Sequence, residues 1–210
     1  MKVLFYGDSI TDAGRDFAVP YGEASYGYGY VKYAAAGLKK RGLTEEEIVN
    51  RGISGNRIVD LYARIKVDCW NHNPDLLSIL IGVNDVWHEI AGNNGVELDR
   101  FEKMYRILIE DTKKVLPNIK ILLCEPFILD GIATTPNMDQ FKAVYDYAKV
   151  VKKLAEEYGL YYLPLQETLK KAAVGKEAEY LNDGVHPAEA GAKLIANEWL
   201  KAFDEINIEK

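Results

Sequence analysis

The sequence predicts an α/β fold, in which a mostly parallel sheet of about five strands is covered by helices on both faces. Short apolar runs alternate with longer helix-like stretches along the chain, as expected when helical crossovers join parallel strands. The run at residues 76–81 is almost entirely apolar, which is typical of a strand buried on both faces. Proline or glycine marks several boundaries of the helix-like stretches.

The individual elements follow from this alternation. Strands are predicted at residues 2–6, 47–51, 76–81, 119–124 and 161–163, where the apolar runs lie. Helices are predicted at residues 29–40, 57–69, 98–116, 138–157 and 188–203. Pro117 ends the third of these helices, Gly159 ends the fourth, and Pro187 begins the last.

Composition places the chain among ordinary globular proteins. Its 210 residues suit one domain spanning residues 1–210, and its 48% hydrophobic and 28% charged contents are near globular averages. The formal net charge of -6, without a block of Lys or Arg, argues against a nucleic-acid or anionic-membrane partner. The chain contains no internal repeat, low-complexity segment or Pro/Ser-rich linker.

The apolar stretch after Met1 is too short for a signal peptide, and no run approaches membrane-spanning length. We therefore expect a cytoplasmic protein. Cys69 and Cys124 stand alone, without CxxC spacing or a Cys/His cluster. They are predicted to be two buried, reduced thiols rather than a disulfide or a metal site.

Ser9 is the candidate nucleophile. It follows Gly7 and Asp8 on the turn that leaves the first strand, and open α/β sheets bind ligands at this edge. A serine hydroxyl needs an adjacent base. Asp183 and His186, three residues apart on a turn, can supply a base and the carboxylate that orients it. Taken separately, Ser9 also suits a helix cap and His186 a loop position.

Two further residues are candidate donors to an oxyanion. Gly55 follows the second strand, and its amide can point into a site because glycine tolerates unusual backbone geometry. Asn84 follows the third strand, and its side-chain amide can donate to an oxyanion. Each also fits an ordinary turn. Their occurrence together with Ser9, Asp183 and His186 at ends of successive predicted elements favours one active site.

These segments resemble the four sequence blocks of the SGNH hydrolases, also called the GDSL esterase and lipase family. The blocks are residues 7–10, Gly55 with Asn56, residues 82–85, and Asp183 with His186. The resemblance implies a three-layer α/β/α sandwich with a central parallel sheet, which is a flavodoxin-like arrangement. It implies no metal and no organic cofactor.

The resemblance also assigns roles. It implies Ser9 as nucleophile, His186 as general base and then acid, and Asp183 as the partner that orients His186. It implies an oxyanion hole made by the Ser9 amide, the Gly55 amide and the Asn84 side chain.

Residues 50–56, 81–87 and 126–127 are similar to intracellular acetylxylan esterases within this family. That branch removes acetyl groups from xylo-oligosaccharides and small aryl acetates. It implies a small acetylated sugar or oligosaccharide as substrate, and a homo-oligomer. Some of these enzymes carry an aromatic residue directly before the catalytic Asp, where this chain has Asn182.

Candidate substrate-binding residues are Asp8, Tyr28, Trp87 and His88. Tyr28 lies in a loop at residues 21–30 that is dense in Tyr and Gly, and its tyrosines suit either stacking on sugar rings or packing on the sheet edge. Trp87 either lines the acyl or sugar pocket or anchors its own loop. Asp8 and Asp12 are interpreted as hydrogen-bonding supports for the nucleophile turn rather than catalytic acids.

Three alternatives to a carbohydrate acetylesterase remain open from the sequence. One is an esterase, thioesterase or lysophospholipase acting on longer acyl chains. The second is a carbohydrate-binding protein that keeps the scaffold without catalysis, against which the intact triad argues. The third is a subunit whose main role is assembly.

Overall fold

The sheet is five-stranded and parallel in the computed structural model, which describes residues 1–208. Its strand order is β2-β1-β3-β4-β5. The strands are β1 (Val3–Gly7), β2 (Ile48–Gly52), β3 (Leu76–Leu80), β4 (Lys120–Cys124) and β5 (Tyr161–Leu163). The predicted parallel sheet is confirmed, with strand boundaries that differ by at most one residue.

Helices connect the strands and continue beyond the last one. They are α1 (Ser9–Asp12), α2 (Glu23–Tyr26), α3 (Tyr30–Lys40), α4 (Ile58–Asp68), α5 (Val83–Gly92), α6 (Leu98–Val115), α7 (Met138–Phe141), α8 (Val144–Tyr158), α9 (Gln166–Ala173), α10 (Glu177–Tyr180) and α11 (Glu189–Ile208). Short 3₁₀ turns lie at Glu45–Glu47, Trp70–His72 and Thr135–Asn137. Within residues 1–208, no helix is both long and apolar enough to cross a membrane.

The helices form two layers around the sheet. Helices α3 and α11 pack against each other, and α6 packs against both α4 and α8. The first pair covers the face of β1 that carries Phe5, whose ring lies 5.9 Å from Tyr30 of α3 and 4.7 Å from Trp199 of α11. The predicted three-layer α/β/α sandwich is therefore confirmed.

The strand order fixes where a ligand can bind. From β1 the chain moves to β2 on one side, whereas from β3 it moves to β4 on the other side. The connections thus diverge at the carboxyl ends of β1 and β3, and such a switch point opens a crevice at the edge of the sheet. Ser9 directly follows β1, and Asn84 follows β3 within the first turn of α5.

The centre of the sheet is apolar, and its polar atoms are paired. Every residue of β3 is buried on the sheet. Ser78 is the polar residue of this strand, and its hydroxyl accepts a hydrogen bond from Trp199 Nε1 at 2.8 Å. Cys69 and Cys124 are buried and free, so the prediction of two unpaired buried thiols is confirmed.

The structure adds helices to the prediction and divides one of the predicted helices. Helices α1, α2, α5, α9 and α10 were not predicted, although Val83, Val86 and Ile90 give α5 an apolar face at helical spacing. The single helix predicted at residues 138–157 is instead two, α7 and α8. Between them the Ala143 amide donates to the Gln140 carbonyl, a bond three residues apart that tightens the backbone beyond α-helical geometry.

The last helix also differs from the prediction at both ends. It begins at Glu189 rather than residue 188 and continues to Ile208 rather than ending at residue 203. The chain before it is held by an antiparallel bridge between Leu181 and Pro187. Pro187 therefore lies in the turn before the helix and is not the first residue of the helix.

Candidate active site

Ser9, His186 and Asp183 form a continuous chain of hydrogen bonds. Ser9 begins α1, and its Oγ lies 2.8 Å from His186 Nε2. His186 Nδ1 lies 2.7 Å from Asp183 Oδ2. An ionised carboxylate only accepts hydrogen bonds, so the proton sits on Nδ1 and Nε2 is left to accept the Ser9 proton. In this arrangement an oriented imidazole can take the proton of the Ser9 hydroxyl.

The turn that carries Asp183 is held by hydrogen bonds between residues at most three positions apart. Asp183 Oδ1 accepts the backbone N–H groups of Val185 at 2.9 Å and His186 at 2.8 Å. Gly184 between them has φ +100°, a value that L side chains rarely adopt. A Cβ at Gly184 would also overlap the Thr134 hydroxyl. The turn therefore needs glycine, and it brings the carboxylate to the imidazole within four residues.

The two partners shift each other's pKa in opposite directions. Partial burial by itself would raise the pKa of Asp183, but the hydrogen bonds from His186 and Val185 outweigh it and lower the pKa to about 2. The hydrogen bond to Asp183 raises the pKa of His186 above its ordinary 6.5, against the opposite effect of its burial. The charged form of the His186 imidazole is thereby stabilised.

Gly55 and Asn84 lie on the same cavity as Ser9. Gly55 has φ +82°, a conformation that glycine adopts without strain. Asn84 Nδ2 donates one hydrogen bond to the Asn56 carbonyl at 3.1 Å. Because an amide nitrogen carries two hydrogens, the second is not used in this bond and can be donated to another acceptor. The structure thus brings the three predicted oxyanion-hole residues together.

A cavity of about 570 Å³ opens beside Ser9. Its lining includes the predicted residues Tyr28, Trp87 and His88, together with Ala13, Gly14, Ser54 and Ala91. Trp87 lies between His186 and Phe141, with ring centroids at 5.9 and 5.5 Å. The Tyr28 side chain is 70% exposed and forms part of the cavity rim, open to a bound molecule.

Asp8 does not join this lining. It is 1% exposed, and its Oδ1 accepts the Ile10 N–H at 2.9 Å, which caps α1. Burial raises its pKa to about 7. Asp8 therefore supports the turn that carries Ser9, and it lies outside the cavity that the other predicted substrate-binding residues line.

The tyrosine-rich loop divides between core and cavity. Tyr26 and Tyr30 are completely buried, whereas Tyr28 is exposed at the cavity. The packing interpretation thus holds for Tyr26 and Tyr30, whereas stacking on a sugar ring stays a prediction for Tyr28. Buried and exposed tyrosines alternate at every second residue from Tyr26 to Tyr30, and this spacing distinguishes the buried tyrosines from the exposed one.

Ser54 was not predicted as a site residue. It lines the cavity, and Asp12 Oδ2 accepts both its N–H at 2.9 Å and its hydroxyl at 2.6 Å. Asp12 therefore supports the turn before Gly55 as well as its own. The two residues lie 42 positions apart, so no local sequence pattern joins them.

Comparison with known proteins decides the family. The model of the GDSL-like lipase/acylhydrolase family matches residues 5–194. The chain belongs to this family. The resemblance drawn from the four blocks is confirmed, and the three-layer fold agrees with the solved structures of family relatives.

The GDSL-family relatives are similar over nearly their whole length. An acetylxylan esterase of Geobacillus stearothermophilus is 38% identical over 219 residues, covering 95% of this chain and 92% of the relative. A crystal structure of an acetylxylan esterase from that organism superposes with TM-score 0.82 and 34% identity, covering 96% and 93%. A protein of Parabacteroides merdae described as a GDSL-like lipase gives TM-score 0.87 and 40% identity, covering 95% and 94%.

Variants of the Geobacillus esterase described as catalytic mutants replace one serine, one aspartate and one histidine. The residue types are those that form the hydrogen-bonded chain at the cavity of this protein.

Proposed function

We propose that this GDSL-family protein is a serine esterase that removes acetyl groups from acetylated carbohydrates, such as xylo-oligosaccharides, through an acyl-enzyme. The observation that carries the proposal is the chain from Ser9 Oγ through His186 to Asp183, with distances of 2.8 and 2.7 Å, at the edge of the cavity. The acetylxylan esterase relatives support the substrate class.

In the first half of the reaction His186 Nε2 takes the Ser9 proton while Ser9 Oγ attacks the ester carbonyl carbon. The carbonyl oxygen becomes an oxyanion, which accepts hydrogen bonds from the Ser9 and Gly55 amides and from Asn84 Nδ2. Asp183 stabilises the imidazolium throughout without taking its proton. When the tetrahedral intermediate collapses, the bond to the sugar oxygen breaks and that oxygen takes the proton from His186.

In the second half, water attacks the acetyl group on Ser9. His186 now takes one proton from the water and returns it to Ser9 Oγ as acetic acid leaves, and the product then ionises to acetate. The same donors hold the second oxyanion. Each proton is therefore handled by one imidazole, which is consistent with its single hydrogen bond to Ser9 on one side and to Asp183 on the other.

The rim of the cavity supports a sugar leaving group. Tyr28 exposes its ring, and aromatic faces stack on the apolar faces of sugar rings. Trp87 and His88, both on α5, also line this cavity. We expect Trp87 to limit the acyl pocket to short chains. The cytoplasmic location, the homo-oligomer and the single domain remain predictions from sequence and resemblance.

The test compares the parent with Ser9→Ala. Both are assayed on p-nitrophenyl acetate, butyrate and octanoate, and for acetate release from acetylated xylo-oligosaccharides. We expect turnover that favours acetate and is lost in Ser9→Ala, because removal of a triad nucleophile costs several orders of magnitude in rate. Ser25→Ala is the control, since the Ser25 hydroxyl lies outside the cavity lining and donates to the Gly22 carbonyl.

Each outcome of this test is informative. Ser9→Ala turnover close to that of the parent rejects the serine mechanism. A preference for octanoate moves the substrate to longer acyl chains while retaining the mechanism. Absence of acetate release from the sugar, with Ser9-dependent turnover of the aryl ester, removes the carbohydrate assignment alone.

A further inference from the structure

We propose that Arg64 is a positioning residue, which fixes the turn carrying Gly55 against the strand end that carries the nucleophile. The inference rests on the proposed function, because it concerns the oxyanion hole of that reaction. Arg64 lies on α4 and does not line the cavity. It therefore acts through other residues and not by contact with substrate.

The guanidinium of Arg64 joins the carboxyl ends of β1 and β2 to the turn that follows β2. Its Nη2 donates to the Gly7 carbonyl at 3.1 Å, two residues before the nucleophile. Its Nη1 donates to the Arg51 carbonyl at 2.8 Å, near the end of β2. Its Nε donates to Asn56 Oδ1 at 2.6 Å, directly after Gly55.

Two further contacts hold the plane of this guanidinium. Arg64 Nη1 also lies 2.9 Å from Asp68 Oδ2, one helical turn further along α4. The Arg64 Cζ lies 4.3 Å from the centroid of the Tyr6 ring, within the range of a cation–π contact. The Arg64 side chain is only 15% exposed. The rigid fork of donors therefore has one orientation, which the single ammonium of lysine does not reproduce.

The contacts of Arg64 continue to the predicted oxyanion donors. The Asn56 side chain is held by Arg64, and the Asn56 carbonyl accepts the hydrogen bond from Asn84 Nδ2 at 3.1 Å. On the other side of Gly55, Ser54 is held by Asp12. Gly55 is thus fixed through both of its neighbours.

The hydrogen bonds to Ser54 and Asn56 matter because Gly55 has no side chain to fix its conformation. A Cβ built at Gly55 meets no atom within 4 Å, so no other group packs against that side of its Cα. Its φ of +82° is one of several backbone conformations open to glycine. Oxyanion donors stabilise a transition state only when they are oriented in advance, and the neighbours of Gly55 supply that orientation.

The experiment compares Arg64→Lys with Arg106→Lys on p-nitrophenyl acetate. Arg106 is a matched control, since it pairs with Glu102 and Glu157 and lies near the Tyr158 ring, on α6 outside the cavity lining. Loss of one oxyanion donor lowers kcat by roughly 10²–10³-fold. Arg64→Lys should displace the Gly55 amide without removing it. We therefore expect a smaller loss, with kcat lowered about 10- to 100-fold and little change in KM. Arg106→Lys keeps the parent kcat.

Three readouts separate positioning from a general loss of structure. An alkylboronic acid that adds to Ser9 as a tetrahedral anion should lose affinity by the same factor as kcat/KM. Added guanidinium should partly restore Arg64→Ala and leave Arg106→Ala unchanged. Asn56→Ala should lower kcat similarly, and its effect should not add to that of Arg64→Lys, because both remove the same link.

The results distinguish this inference from the proposed function. Parent-like kcat and boronate affinity in Arg64→Lys, together with an inactive Ser9→Ala, overturn the role of Arg64 and leave the esterase assignment intact. An active Ser9→Ala overturns the proposed function itself. If Arg64→Lys does not fold, Asn56→Ala decides, and full activity in that variant rejects the positioning role.

Discussion

Asp85 is a buried carboxyl group that the proposed reaction does not use, and we expect Asp85→Asn to stabilise the protein at neutral and alkaline pH. Asp85 lies in the first turn of α5 and is 1% exposed. Its Oδ1 accepts the Ile58 N–H at 3.0 Å, while its Oδ2 has no hydrogen-bond partner among residues 1–208. Burial raises its pKa to about 8, and the charge of Asp8 adds to that rise against the opposing Ile58 hydrogen bond.

The sign of the effect follows from proton linkage. In the unfolded chain Asp85 has its ordinary pKa of 3.8, whereas in the folded protein it stays protonated up to about pH 8. Between these values the unfolded state has lost a proton that the folded state keeps, so the free energy of unfolding falls as pH rises. The slope is about 1.4 kcal/mol per pH unit. The accumulated penalty is on the order of several kcal/mol and is complete above pH 8.

Asparagine is neutral in both states and lacks this penalty. The introduced amide side chain still offers an oxygen to the Ile58 N–H, and it leaves one polar atom unpaired, as protonated Asp85 does. The cost of the unpaired polar atom is therefore about the same in Asp85→Asn and in the parent with protonated Asp85. The difference in stability between variant and parent should therefore be small near pH 4, grow through neutral pH and become constant above pH 8.

The assay is urea unfolding followed by tryptophan fluorescence, at several pH values between 4 and 9. Asp139→Asn is the control, because the Asp139 side chain is 96% exposed and its hydrogen bond with Lys142 lowers its pKa. Asp139 is ionised in both states above pH 5, so this variant should show a constant difference. A difference for Asp85→Asn that does not change with pH refutes the argument, because it means that Asp85 is already ionised in the folded protein.

Three other predictions concern activity. Asp183→Asn should lower kcat by roughly 10³–10⁴-fold, and it should shift the acidic limb of the pH–rate profile to lower pH, since His186 loses the partner that raises its pKa above 6.5. Gly55→Ala should lower kcat more than about 10-fold with little effect on KM, because alanine disfavours φ +82°. Tyr28→Ala should raise KM for acetylated xylo-oligosaccharides several-fold and leave p-nitrophenyl acetate turnover unchanged.

Each of these has a contradicting outcome. An unchanged acidic limb in Asp183→Asn means that the carboxylate does not set the His186 pKa. Parent-like kcat in Gly55→Ala removes the Gly55 amide from the oxyanion hole. Equal losses on both substrates in Tyr28→Ala indicate a structural role for Tyr28 and not a sugar contact.

The sequence predicted the sheet because a buried strand is encoded by a run of apolar residues within a few positions of the chain. The apolar run of β3 and the glycine and proline residues at helix ends each act within a few positions, so their pattern can be read along the chain. Helix α5 was missed for a related reason. Its first residues, 83–85, have the composition of a turn, and only Val83, Val86 and Ile90 together indicate a helix.

The parts of the candidate site that depend on neighbouring residues could be predicted from the sequence, and the contacts between distant segments could not. The Asp183–His186 pair is made by one glycine turn, and Ser9 is set by the end of β1, so both depend on neighbouring residues. By itself the sequence therefore determined the order of the strands along the chain, the residues at their ends and the chemistry those residues carry. The contact between Ser9 and His186 spans 177 positions, and packing of the whole sheet and its helices decides that distance.

Tertiary structure alone decided which side chains face the cavity and which support it. Tyr26 and Tyr28 are two residues apart, yet one is core and the other is exposed at the cavity. Asp8 turns to cap α1, and Arg64 reaches a strand end 57 positions away. Hydrophobic periodicity specifies the buried face of each element, but the direction of a polar side chain depends on donors and acceptors that other segments bring near it.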